Sequence, residues 1–94
     1  MSDWFLYVVQ CADKSLYTGI TTDVERRVKE HNQSPRGARY TKTRRPVELL
    51  CSWPHESRSE ASSAEHAFKN LSRLAKLQRI TSGSPAPENE SDEK

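Results

Sequence analysis

Tyr7, Tyr17, Arg27 and His31 fall within one 26-residue stretch, LYVVQCADKSLYTGITTDVERRVKEH, the two tyrosines and the arginine each ten positions apart. Together these types can handle a phosphate ester. A guanidinium grips phosphate oxygens bidentately and offsets charge that builds on them, while a phenol or an imidazole can take or give the proton of an attacking water. Each residue alone has an ordinary structural reading, the tyrosines as strand residues and His31 as a satisfied core histidine. Their juxtaposition therefore depends on the elements that carry them.

Residues 4–11, WFLYVVQC, are aromatic and β-branched with few polar interruptions, the pattern of a strand covered on both faces and central to its sheet. Turn-formers follow at Ala12-Asp13-Lys14-Ser15, and LYTGIT at 16–21 is a second β-prone run, so the two make a hairpin. Gly19 weakens that strand unless a bulge, a ligand or another group comes close there. Register decides which face each tyrosine takes. An odd loop over 13–15 pairs Cys11 with Tyr17 and Tyr7 with Thr21 and leaves both tyrosines on one face; a four-residue loop separates them. The odd loop is the expectation.

Thr22-Asp23-Val24-Glu25 matches a capping box with Thr22 as the cap, predicting a helix over 23–32. Val24, Val28 and His31 share one stripe of it, Arg27 lies at the border, and Arg26, Lys29 and Glu30 point away. Residues 33–46, QSPRGARYTKTRRP, read as a long loop, and long loops in small domains are commonly functional. Between Arg26 and Arg45 eight Lys or Arg face a single acid, Glu30, with Tyr40 among them for stacking. Arg26, Arg36, Arg39, Lys42, Arg44 and Arg45, with Tyr40 and the more distant Lys69, are the candidate nucleic-acid contacts.

A third strand is expected over 47–53, ended by Pro54. Ser57-Arg58-Ser59-Glu60 is a second capping box, and Ala61, Ala64, Phe68 and Leu71 recur at helical spacing, predicting a helix over 58–70. Glu65 sits on the edge of that apolar stripe, either half buried near the sheet or simply paired with Lys69 four residues on. Ser72 caps a last short helix to Ile80, with Leu74, Leu77 and Ile80 inward. The division expected is a domain over 1–80 and a disordered acidic tail over 81–94.

Ninety-four residues with 33% apolar content allow one modest core. The formal charge of +2 hides an asymmetry: Glu88, Glu90, Asp92 and Glu93 face Lys94 alone after Ser82, leaving 14 basic and 9 acidic residues, or +5, in the rest. Cys11 and Cys51 have no paired spacing, which argues for reduced thiols over a disulfide scaffold or zinc knuckle. No apolar run nears the roughly 18 residues that span a bilayer, and Met1-Ser-Asp-Trp lacks a basic leader, so a cytoplasmic location and no membrane partner are expected.

Leu6-Tyr7 followed by Tyr17-Thr18-Gly19, then Arg27, His31 and a helical Glu-x-x-x-Lys at Glu65, resembles the GIY-YIG nuclease domain, specifically its small UPF0213 (YhbQ-like) group, over residues 4 to about 78. The resemblance implies an α+β fold, a three-stranded antiparallel sheet flanked by helices in the order β-β-α-β-α-α, and metal-dependent hydrolysis of a phosphodiester on one sheet face. Tyr7 matches the first motif's tyrosine, Tyr17 and Gly19 the second motif, Arg27 and His31 the helix residues, and Glu65 the metal ligand; Tyr40 is a softer match. Phe5-Leu6 replace the first motif's glycine and isoleucine, Thr18 replaces an isoleucine, and Leu77 stands where many nuclease relatives carry an asparagine.

On that resemblance Tyr7 is the expected base. A phenol of pKa about 10 needs a nearby cation to serve at neutral pH, so Arg27 and His31 are expected to lower it, with Tyr17 orienting it; swapped tyrosine roles stay open. Arg27 also clamps the phosphate, and Glu65 holds one Mg²⁺ (or Mn²⁺) that binds weakly without substrate. The expected function is an endonuclease acting on structured or damaged DNA in repair or recombination, RNA not being excluded. The alternatives are a nucleic-acid-binding module of the same fold that cleaves slowly or not at all, and an adaptor whose acidic tail docks a protein partner or covers the basic face.

Overall fold

A computed structural model describes residues 3–34 and 36–82. The apolar run at the N-terminus becomes β1 (Trp4–Gln10), the central strand of a three-stranded antiparallel sheet in the order β2-β1-β3, with β2 at Leu16–Thr21 and β3 at Glu48–His55. Its near-continuous hydrophobicity is used on both faces. Leu6 and Val8 pack with Trp53 and Phe68 on one side, and Tyr7, Val9 and Cys11 with Val47 on the other. Cys11 and Cys51 are both free thiols.

The hairpin register is two residues from the one expected, because the loop has five residues, 11–15, rather than three: Tyr7 faces Gly19 and Val9 faces Tyr17. Parity survives, so both tyrosines lie on one face. The wider loop is built by Asp13, whose Oδ1 accepts the Ser15 amide (3.0 Å) and hydroxyl, while Cys11 N–H donates to Ser15 O (2.8 Å) and Lys14 takes φ 74°. Two arginines hold its tip. Arg44 Nε donates to Asp13 Oδ2 (3.0 Å) and Arg73 Nη2 to the Lys14 carbonyl (2.9 Å).

β3 runs past Trp53 through Pro54, which an edge strand tolerates, and slips one residue against β1 at a bulge between Val8 and Val9. Helix α1 (Val24–Gln33) is capped by Asp23 rather than Thr22: Asp23 Oδ1 accepts the Arg26 amide (3.0 Å), and Thr21 Oγ1 accepts the Asp23 amide (3.1 Å), which seats the cap one residue later. The expected loop is not structureless, since it contains a single helical turn, α2 (Arg39–Lys42).

In α3 (Arg58–Lys69) Ser57 Oγ accepts the Glu60 amide (3.1 Å) as expected, but Glu60 reaches back to the Glu56 amide (2.9 Å) instead of its cap. Ala61 and Phe68 are buried from this helix, and Phe68 meets Trp53 with ring centroids 5.9 Å apart. Ser72 caps α4 (Arg73–Ser82), whose end lies past Ile80. Leu74 does not face inward as expected, being 68% exposed, and α4 buries no residue fully, whereas Ile80 packs on the core as expected. The remainder of the expected acidic tail lies outside the described residues.

The two core layers put α1 on the Tyr7 face and α3 on the Leu6 and Val8 face. Because the latter is so small, Phe68→Ala is expected to lower unfolding free energy by about 3–5 kcal/mol, read as a drop in the urea midpoint at unchanged slope.

Candidate active site

The tyrosine of β1 lies across Gly19 of β2. A Cβ at Gly19 would stand 2.6 Å from Tyr7 Oη and 2.8 Å from its Cζ, so the glycine is required by the close approach of a side chain rather than by a ligand or a bulge. From there the phenol reaches His31 on α1. Oη and Nε2 are 2.7 Å apart, Tyr7 is 1% exposed and His31 fully buried.

The far nitrogen of His31 is held by a residue that sequence reasoning missed. Thr41 Oγ1, fully buried in α2, lies 2.9 Å from His31 Nδ1 and donates to the Ala38 carbonyl at 2.9 Å. With its proton spent on Ala38, the threonine oxygen accepts from Nδ1–H, and Nε2 is left to accept the Tyr7 hydroxyl. The Ala38 amide, 3.4 Å from Nδ1, favours the other tautomer but through a longer and weaker contact. A lone threonine in a polar loop carries no local signal of such a role.

Burial pushes the Tyr7 phenol up to about 12, with Tyr17 and Glu65 adding to the rise and Arg27 pulling the other way. The lowering expected from the sequence is thus present through Arg27 but outweighed. His31 cannot contribute a charge, because burial and then Arg27 bring its pKa down to about 4 and leave a neutral imidazole at pH 7. Arg27 itself stays protonated: burial works against its charge, but hydrogen bonds to Glu30 and Tyr7 raise its pKa. Its Nη1 donates to Glu30 Oε1 and to the Arg36 carbonyl, both at 2.9 Å.

Tyr17 meets His31 edge-on, centroids 5.2 Å apart, and stacks on Tyr40 at 5.9 Å. Tyr40 remains exposed, with the Arg44 guanidinium 4.0 Å from its ring centroid. Arg44 and Arg45 both hydrogen-bond to other parts of the chain. Arg44 holds Asp13 and the Tyr40 carbonyl, and Arg45 donates to the His31 and Ser34 carbonyls at the end of α1, close over Gly37, where a Cβ would meet Glu30 O at 2.7 Å. Arg36, Arg39 and Lys42 are exposed, Arg26 is exposed with Nε 3.9 Å from Glu30, and Lys69 pairs with Glu65 at 3.0 Å.

Two clefts meet at the end of β2. One of ≈ 360 Å³ is lined by Arg26, Arg27, Glu30, Thr21 and Thr22; the other, of ≈ 860 Å³, by Glu65, His66 and the serines of α3. Ile20 and Arg58 line both. In the sequence Arg58 carries only a helix-start signal, within Ser57-Arg58-Ser59-Glu60. Among the described residues no three His, Cys, Asp or Glu converge as a closed metal centre. Glu65, its side chain 22% exposed and paired with Lys69 through Oε2, fits a hard cation that takes its other oxygens from water and substrate.

The GIY-YIG catalytic domain family matches this chain over residues 3–78. A UPF0213 protein of Desulfotalea psychrophila is 58% identical over 73 residues, covering 78% of this chain and 66% of that protein, and one of Haloquadratum walsbyi is 49% identical over 84 residues, covering 88% and 93%. Among solved structures, the solution structure of the UPF0213 protein BH0048 from Bacillus halodurans is 44% identical with a TM-score of 0.55, covering 83% of this chain and 82% of that one. The protein EF2693 from E. faecalis is also 44% identical, with a TM-score of 0.60 over 88% and 91%. Among the described residues no helix is long and apolar enough to cross a membrane.

The buried neutral imidazole has a consequence for stability. His31 binds a proton near pH 6.5 when unfolded but only near 4 when folded, so the native state is increasingly disfavoured as pH falls through that window. Urea unfolding from pH 7 to 4 is expected to show a loss of about 2–3 kcal/mol beyond the carboxylate contribution, a component absent from His31→Gln.

Proposed function

Since the chain belongs to the GIY-YIG family, in its UPF0213 group, we propose that it hydrolyses phosphodiesters in DNA, structured or damaged rather than sequence-defined, as a metal-dependent nuclease. One observation carries this reading: the Tyr7–His31 pair lies beside Arg27 and within electrostatic reach of Glu65, so a proton acceptor, a phosphate clamp and a carboxylate ligand converge at the end of β2. Cation-lined clefts and the family support a nucleic-acid substrate.

Arg27 receives the scissile phosphate. A water placed against Tyr7 gives its proton to the phenol oxygen as the phenol passes its own to His31 Nε2, so the net transfer is from water to imidazole. This relay avoids a free phenolate, which a pKa of about 12 forbids at neutral pH. The substrate assists it. Burial is the main cause of the neutral imidazole; a phosphate paired with Arg27 offsets the smaller contribution of that charge and so raises the basicity of Nε2 as the complex forms. Glu65 would hold the divalent cation, which supplies Lewis-acid stabilisation of the leaving oxygen. Thr41 keeps the imidazole in the accepting tautomer.

Leu77, in place of the asparagine of many nuclease relatives, favours the second reading, a binding module of the same fold that cleaves slowly or not at all. A nicking assay on branched, flapped and plain duplex DNA with Mg²⁺ or Mn²⁺ separates the two. Under the nuclease reading Glu65→Ala and Tyr7→Phe each reduce cleavage at least about 100-fold while affinity stays within threefold. Wild-type binding without cleavage on any substrate establishes the module instead.

A further inference from the structure

Among the described residues, Arg58 is the cation lining both clefts for which no ion pair forms. Arg27 donates to Glu30 at 2.9 Å and to a backbone carbonyl, Arg26 approaches the same carboxylate at 3.9 Å, and Lys69 is paired with Glu65 at 3.0 Å. Arg58 makes no ion pair among the described residues; its guanidinium lies 5.7 Å from the Trp4 ring centroid, which steers the side chain without neutralising it. It also borders both clefts, sharing one with Arg27 and the other with Glu65, over the apolar floor of Ile20.

Three guanidiniums and the single carboxylate of Glu30 line a cleft of ≈ 360 Å³, which gives it a net positive lining that attracts an anion. An arginine is suited to that anion, because its planar fork binds two phosphate oxygens at once. We propose that Arg58 binds the backbone phosphate next to the scissile one, so that a single strand crosses the edge of β2 between Arg27 and Glu65. The proposal rests on the nuclease reading for the identity of the scissile phosphate. It adds a second contact point on the strand, and with it the direction in which the strand crosses.

A binding cycle tests it with the full chain. Wild type, Arg58→Gln and Arg58→Lys are titrated, in EDTA, against a short flapped duplex whose junction fixes the register, unmodified or carrying one neutral methylphosphonate at each successive position. Arg58→Gln is expected to weaken binding of the unmodified duplex about tenfold and to reduce the salt slope by about one charge. Wild type should lose the same factor with one particular methylphosphonate, Arg58→Gln should lose nothing more on that duplex, and Arg58→Lys should recover part of the loss. With metal, KM should carry the effect and kcat stay within twofold. A variant that binds every duplex like wild type, or whose loss adds to that of every methylphosphonate, overturns the proposal. Absence of cleavage by wild type sinks the nuclease reading alone, since the cycle is read without turnover; absence of DNA binding by wild type sinks both.

Discussion

A hydrogen bond of 2.7 Å between Tyr7 Oη and His31 Nε2 ties the sheet to α1, and it exists because a β-carbon is missing from the neighbouring strand. In a hairpin of this register the side chain opposite Tyr7 belongs to residue 19, and any substituent there would occupy the space of the phenol. Glycine lets the ring lie flat across β2 and reach a helix that the sheet would otherwise hold away. His31 then turns its other nitrogen to Thr41, which binds the α2 turn to the same point. A sheet, a helix and a loop of a chain with little apolar mass are thereby joined through one buried polar network.

Such a network is tolerated only when every member has a partner, since an unpaired polar group in a dry interior costs about 1–3 kcal/mol. Here each proton has a destination: phenol to imidazole, imidazole to threonine, threonine to the Ala38 carbonyl. Both titratable members are neutral at pH 7, their pKa values driven apart to about 12 and about 4 by the same burial. Arg27 at the border is the charged element nearest them, and it is kept ionised by Glu30. The free protein therefore holds an uncharged pair beside a cation, an arrangement whose balance an incoming anion alters.

The strands and long helices were legible because each carries a strong local signal: a continuous apolar run for β1, serine caps at α3 and α4, and a 3.6-residue stripe along α1 and α3. What local signals could not supply was set at a distance. The five-residue hairpin loop depends on Asp13 gathering Ser15 and on Arg44 from beyond α1. Asp23 displaced Thr22 as cap because the hydroxyl of Thr21, at the end of the strand, takes the Asp23 amide. Basic residues of the loop looked alike in sequence, yet Arg44 and Arg45 are spent on carbonyls, a carboxylate and a ring, while Arg36, Arg39 and Lys42 face outward. Tyr7, Tyr17, Arg27 and His31 meet as their parity and stripe require; Thr41 and Arg58 join them only through tertiary contact.

The tip of the β1–β2 turn, gripped by Arg44 on one side and Arg73 on the other, makes a five-residue loop the common anchor of two segments that never touch in sequence. Opening of the α2 segment must break the Arg44 contact, and fraying of α4 from its first turn must break the one made by Arg73. Both events load the same turn. Small domains usually shed their loops and terminal helices piecemeal, at low free energy and on their own timescales. In this chain the shared anchor couples those motions, so that opening of either segment removes a contact from the turn that the other also holds.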